Sequence, residues 1–185
     1  MSWLERLTAA YGADPDPGFG PPTVDVDPGV WTESLRVARY ELGCHFFDYL
    51  TAVDELEDGF SVVAHVAAPR QGSVHSLLLR TRLARDAAAV TCACSVYAGA
   101  GWHERETHEM FGIDFTGHDN LDPLLLPEGF DGHPLRKDFV LASRVAKAWP
   151  GAKEPGESER EAAPSRRRTR PPGVPDPEAW GPSTP

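Results

Sequence analysis

Residues 150–185 hold nine of the chain's eighteen prolines and very few large apolar side chains. Such a stretch buries too little surface to offset its ordering entropy, so a disordered Pro/Arg-rich tail is expected there. The first 149 residues are left to build the fold, which is room for one ordinary domain and not comfortably two. The chain is 41% apolar, enough for a real core. No apolar run approaches the ~20 residues that span a bilayer, so no crossing of a membrane is expected.

Charge narrows the function classes. In the tail, Lys153, Arg160, Arg166, Arg167, Arg168 and Arg170 are balanced by Glu154, Glu157, Glu159, Glu161, Asp176 and Glu178. The whole net charge of -10 therefore falls on the domain, which argues against binding a phosphate backbone there. The tail's basic cluster reads as a solubilising segment rather than a nucleic-acid or lipid contact. Met1-Ser2-Trp3-Leu4-Glu5-Arg6 lacks the basic-then-apolar pattern of a secretory signal, and a cytoplasmic location is expected. Three cysteines, Cys44, Cys92 and Cys94, give no disulfide framework and cannot supply the four thiolates of an iron–sulfur cluster. Cys92 and Cys94 are read as two small buried side chains on one strand face.

The body reads as α+β: a small mixed sheet with two to three helices, then an extended irregular segment. A short helix is expected over 2–11, followed by a Pro/Gly linker over 12–22. Thr23–Asp27 alternates like a strand, and Thr32 is the expected N-cap of a helix over 33–43. Leu35, Ala38, Arg39 and Leu42 form its inward stripe, and Gly43 stands where a C-cap belongs. Strands are expected over Cys44–Val53, Phe60–Ala67 and Val74–Arg82, the last patterned for burial on both faces. Arg85–Tyr97 fits a helix, and Thr91–Tyr97 equally fits a strand; periodicity does not choose. Trp102–Phe111 fits a helix stopped by Gly112. Beyond it, the main chain of an extended segment over 113–149 has few local partners, and a second protein is the economical source of them.

The densest polar cluster is His103-Glu104-Arg105-Glu106-Thr107-His108-Glu109. Its histidines stand at i and i+5, roughly 140° apart around a helix, which is the wrong face relation for a His-Glu-x-x-His zinc motif. Glu104 with His108, completed by His118 or His133, is a remoter metal option. Arg105 and Glu109 are spaced as an i,i+4 ion pair, which on a surface adds only about 0.3–0.5 kcal/mol. So many charges beside Trp102, Met110 and Phe111 suggest a half-buried face whose charges find partners across an interface. Gly99-Ala100-Gly101 lacks the context of a dinucleotide loop. His133 with Asp138 has no nucleophile of recognisable setting beside it. No catalytic, cofactor-binding or metal residue is assigned.

Gly101-Trp102-His103-Glu104-Arg105-Glu106, Phe111-Gly112-Ile113, Gly117-His118, Gly129-Phe130 and Gly132-His133-Pro134-Leu135-Arg136-Lys137-Asp138-Phe139 follow one another in a specific order and spacing. Together they resemble the C, or 30 kDa, subunit family of NADH-quinone oxidoreductase, respiratory complex I. The resemblance is close over 99–141 and looser over 23–98. It implies the domain plan 1–22 (helix and linker), 23–112 (α+β domain of this type), 113–149 (partner-binding segment) and 150–185 (tail). It implies a scaffold subunit of the peripheral arm, on the cytoplasmic side of the inner membrane. There it would clasp the quinone-site D subunit near the iron–sulfur B and I subunits. Such a chain binds no redox centre; the complex uses NADH, FMN, iron–sulfur clusters and quinone and couples electron transfer to proton translocation. Contacts between subunits are expected from Trp102, His103, Glu104, Arg105, Glu106, His118, His133, Arg136, Lys137 and Asp138.

The chain departs from the family pattern at Glu109, usually Asp, at His108, commonly aromatic, and at Asp122, where a basic residue or proline is usual. Asp122 opens the alternative of a divergent paralogue, in a membrane-bound hydrogenase or a reduced complex with another electron donor. The two rival classes are a stand-alone metal enzyme using Glu104, His108, His118 and His133, and an adaptor working through the tail's arginines.

Overall fold

The computed structural model of the chain describes residues 1–140 except Phe19 and Glu128. The expected tail and the far end of the expected 113–149 segment lie outside the described residues. Helix α1 (Trp3–Tyr11) is closed by a Ser2–Glu5 capping box and ends at Gly12, whose φ of 70° suits a residue without a side chain. It buries Leu7 completely and fixes Trp3 by an indole N–H donated to the Ser76 carbonyl at 2.9 Å. Strand β1 (Thr23–Asp25) follows the linker.

The next helix starts earlier than its sequence suggests. Asp27 accepts the Gly29 N–H at 2.7 Å and caps a 3-10 turn over Pro28–Val30, which runs straight into α2 (Trp31–Arg36). Thr32 is therefore not the N-cap. It lies inside the first turn, and its hydroxyl meets that of Thr91 at 2.6 Å. The path then widens into a π turn over Val37–Glu41, with the Leu42 N–H reaching back to the Val37 carbonyl. The stripe of Leu35, Ala38 and Leu42 is buried as expected. The Arg39 guanidinium lies 5.2 Å from the centre of the Tyr97 ring and donates to the Val96 carbonyl.

Strands β2 (Phe46–Asp54), β3 (Phe60–Arg70) and β4 (Ser73–Leu83) form an antiparallel meander, and β1 adds to it parallel to β4. Alternation sends Leu50, Ala52 and Asp54 of β2 inward, with Phe60, Val62 and Ala64 of β3 and Leu77, Leu79 and Leu83 of β4. On β4 only this face is fully buried; Leu78 and Arg80 on the other are partly covered, so the two-sided expectation holds by half. The inner face meets Trp31, Leu35, Tyr97, Ile113 and Phe115 in one cluster.

Residues 85–97 form neither of the expected elements. A 3-10 turn over Arg85–Ala87 leads into the short strand β5 (Ala89–Thr91), and turns follow. Strand β5 pairs parallel with β6 (Asp114–Thr116), with Val90 opposite Phe115. That partner lies beyond the next helix, where local periodicity cannot announce it. Cys92 directly follows β5 and Cys94 lies in the turn after it, both half-buried and not paired on one strand face. Helix α3 (Ala100–Phe111) bridges β5 and β6, packs against β2, and stops at Gly112 as expected. Residues 1–137 make one compact unit, which takes in the first part of the segment expected to be extended. Among the described residues no helix is long and apolar enough to cross a membrane. The class is α+β, and the described residues hold a four-stranded mixed sheet, the β5–β6 pair and three α-helices.

Candidate functional site: a helix and its strap

Helix α3 exposes little of its polar cluster. Glu104, Thr107 and Glu109 are buried, Arg105, His103 and His108 are half-buried, and Glu106 and Trp102 face solvent. Residues 117–137 return across this helix as a strap, held through side chain to main chain hydrogen bonds. Glu109 is the principal anchor. Its two carboxylate oxygens accept the N–H groups of Leu124, Leu125 and Leu126 at 3.2, 2.9 and 2.7 Å. Arg105 donates Nε to the Asp122 carbonyl and Nη2 to the Pro123 carbonyl, both at 3.0 Å. His133 donates Nδ1–H to the Glu109 carbonyl at 2.8 Å, and Arg136 donates Nε–H to the Phe111 carbonyl at 2.5 Å. Asp54 secures the far end: Oδ2 accepts the Lys137 N–H at 2.8 Å, while Oδ1 accepts from Leu56 N–H and the Arg85 guanidinium.

These bonds correct the expectation drawn from the cluster. Two of its charges, Arg105 and Glu109, find partners in the chain's own returning main chain, and Glu104 finds its donors in the turn after β5. Arg105 and Glu109, spaced for an i,i+4 pair, diverge to different carbonyl and N–H groups of the strap. The contacts join residues 15 or more apart, which spacing within one helix cannot show.

Both anchoring carboxyls are shifted. Burial alone would raise Glu109, and the three N–H donors with Arg105 outweigh it and hold it below the usual carboxylate range. Asp54 is lowered in the same way, burial being offset by Lys137 and Leu56 N–H and by Arg85. A carboxyl whose folded pKa is depressed contributes stability above its unfolded value of about 4 and loses it as pH falls through the folded value. Stability is therefore expected to decline as the solution is acidified below about pH 4. An Asp54→Asn, Glu109→Gln double variant loses the share of that slope due to these two groups and keeps the share due to Asp25, which Arg80 lowers through a two-bond fork. Urea midpoints measured at stepped pH check this, and an unchanged acid slope in the double variant refutes it.

The other site candidates fall into two groups. His103 packs edge-on against Phe47 with ring centres 5.5 Å apart. Glu104 is fully buried; its Oε1 accepts the Ala93 N–H at 2.6 Å, and its Oε2 accepts from the Cys92 thiol at 2.9 Å. His118 Nε2 lies 3.8 Å from the same oxygen. The metal option of Glu104 with His108, His118 and His133 is not assembled, because His108 donates to the Ile113 carbonyl and His133 to that of Glu109. Trp102 stands 63% exposed beneath the Arg105 guanidinium, and Leu125, Phe130 and Leu135 of the strap are 60%, 41% and 52% exposed. Asp138 is exposed.

Sequence reasoning missed Asp54, Cys92 and Cys94. The inward alternation of β2 was the available signal for Asp54: a carboxylate at a core position demands a partner.

The family model described as "Respiratory-chain NADH dehydrogenase, 30 Kd subunit" matches residues 24–145. The NADH-quinone oxidoreductase C subunit of Roseiflexus castenholzii is 39% identical over 150 residues, covering 76% of this chain and 83% of that protein. The first of the C subunits of Rhizobium meliloti is 36% identical over 149 residues, covering 78% and 72%. The C subunit of Rhizobium etli is 48% identical over 116 residues, covering 60% of this chain and only 56% of that protein. Two solved structures share the fold. One belongs to an archaeal respiratory membrane complex, the membrane-bound sulfane sulfur reductase, with TM-score 0.67, 21% identity and coverage of 82% and 94%. The other is a trypsin-resistant fragment of Nqo5, with TM-score 0.54, 23% identity and coverage of 65% and 100%. The family match and the curated relatives agree with the blocks that α3 and its strap carry: this chain belongs to the family of the 30 kDa subunit of respiratory-chain NADH dehydrogenase.

Proposed function

We infer that the chain is a scaffold subunit of the peripheral arm of a NADH-quinone oxidoreductase, holding no redox centre of its own. It docks through α3 and the strap onto the quinone-site D subunit, with the iron–sulfur B and I subunits nearby, on the cytoplasmic side of the inner membrane. The observation that carries this reading is the pairing of a tethered main chain with outward apolar side chains. Glu109, Arg105, His133, Arg136 and Asp54 tie the strap to the domain, while Trp102, Leu125 and Leu135 are each more than half exposed. A prearranged apolar surface loses little entropy when a partner covers it. Aromatic anchors such as Trp102 are where binding energy concentrates, and the leucines around it exclude water.

The test is co-purification from native membranes. A tagged Trp102→Ser, Leu125→Ser, Leu135→Ser chain is expected to lose its quinone-site partner while keeping the parent's thermal transition in isolation. Recovery of the intact complex with this triple variant overturns the docking surface. Co-purification of the parent chain with no quinone-reductase subunits overturns the functional reading. The same preparation decides the donor, since NADH-oxidising subunits are present in a full complex and missing from a reduced or hydrogenase-type one.

A further inference from the structure

The turn after β5 and the middle of α3 bring together a group of side chains that the strap does not use. The Cys92 thiol lies 2.9 Å and the Cys94 thiol 3.5 Å from Oε2 of Glu104. One ligand atom from each of these residues lies within 4.8 Å of the others. We propose that Cys92, Cys94 and Glu104 bind one thiophilic divalent cation of the zinc class, tying the turn after β5 to α3.

Geometry supports it first. Tetrahedral zinc with Zn–S near 2.3 Å and Zn–O near 2.0 Å sets a sulfur-to-oxygen edge of about 3.5 Å. The Cys94–Glu104 separation already has that value, the Cys92–Glu104 edge of 2.9 Å opens by about 0.6 Å, and the sulfur-to-sulfur edge, at most 4.8 Å, needs a change of no more than about 1 Å. The ligand set, two thiolates and a carboxylate, is one that zinc accepts and that magnesium or calcium does not favour.

Charge supports it independently. Glu104 is 0% exposed, yet among the described residues no lysine or arginine forms an ion pair with it. Its donors are one backbone N–H and two thiols, and thiols are weak donors. A buried carboxylate is ordinarily matched by a positive charge. His118 is engaged elsewhere: its Nδ1 accepts the Asn120 N–H at 3.0 Å, and its Nε2 lies 3.2 Å from the Gly101 carbonyl, nearer than the 3.8 Å to Oε2. A cation between Oε2 and the two sulfurs supplies that charge.

The surroundings are ordered as an outer shell. Ala93 N–H orients Oε1, and Cys94 N–H donates to the Cys92 sulfur at 3.3 Å. His118, its side chain 8% exposed and its Nε2 3.8 Å from Oε2, closes one side. A methyl on Gly101 would lie 3.2 Å from the Cys94 sulfur, so glycine keeps the approach open. Binding displaces the two thiol protons to solvent and oxidises nothing. Zinc chemistry of this kind is structural, so it coexists with a scaffold role and does not depend on it.

The test uses the full chain, purified metal-free under reducing conditions and titrated with cobalt(II). One equivalent is expected to produce a thiolate-to-cobalt charge-transfer band that added zinc abolishes. A Cys92→Ser, Cys94→Ser double variant keeps an O–H donor toward Glu104 and is expected to fold, as circular dichroism checks, but to give no such band. Cys44→Ala is expected to keep it. Glu104→Gln should weaken cobalt binding by more than the roughly tenfold to hundredfold that loss of an outer-shell partner causes. A parent chain without the band overturns the site. So does a band that survives the double serine change, or an unchanged affinity in Glu104→Gln.

Discussion

A Glu109→Ala chain is expected to lose about 3–5 kcal/mol of stability and to release the strap from α3. The magnitude follows from what the carboxylate does. It is the shared acceptor for three consecutive N–H groups, those of Leu124, Leu125 and Leu126, in a half-buried setting where water replaces it only in part. Hydrogen bonds to a charged acceptor contribute about 1.5–3 kcal/mol each, and partial hydration of the freed groups brings the sum down to the range given. Glu109→Gln keeps the shape and one acceptor oxygen, so it should fall between parent and alanine. Urea denaturation gives the total, and amide exchange locates it: the three leucine amides should speed up far more than those of β3. Equal protection of residues 124–126 in parent and alanine variant would remove Glu109 from its anchoring role.

Gly59→Ala is expected to be worse, costing about 4 kcal/mol or more and leaving little soluble protein at ordinary growth temperature. Gly59 closes the turn between β2 and β3 at φ 93° and ψ -132°, a region that side-chain-bearing residues rarely enter. A methyl group there would stand 2.1 Å from the Leu83 carbonyl oxygen, a backbone atom at the end of β4 that cannot step aside alone. Relief requires shifting the β2–β3 turn, and with it Asp54, which holds both Arg85 and the Lys137 end of the strap. The thermal midpoint of whatever soluble fraction is recovered measures the effect. A variant melting within a few degrees of the parent would show that the turn relaxes at little expense.

Much of the fold was legible because periodicity and punctuation agree. Ser2 with Glu5 at the start and Gly12 at the end bound α1, Gly112 ends α3, and the β2–β3–β4 meander follows its alternation to within a few residues. Illegibility begins where a partner is distant. The start of α2 moved because Asp27 and Pro28 open a 3-10 turn ahead of it. Strand β5 exists only through β6, on the far side of α3.

The site divides along the same line. Its helix, its glycine stop and its family blocks were readable, and so was the unusual density of charge on α3. What those charges hold was not. Glu109 reaches 15 to 17 residues forward, Arg136 reaches back 25, and Lys137 meets Asp54 across 83. Cys92 and Cys94 were misplaced for the same reason, since only the fold of the turn brings Glu104 against them.

The parallel docking of β1 on β4 bears on how this chain acquires its shape. Thr23 lies beside Leu78, fifty-five positions on, whereas β2, β3 and β4 join neighbours through short turns. Closing so long a loop before any contact rewards it is entropically unfavourable, so the hairpins should form early and β1 arrive late. While the polypeptide is emerging from the ribosome, the first twenty-five residues must wait for β4 to appear. From the moment β4 forms until β1 docks on it, the rim of β4 is an open template for another strand, a period in which a chaperone or an assembly partner has reason to be present.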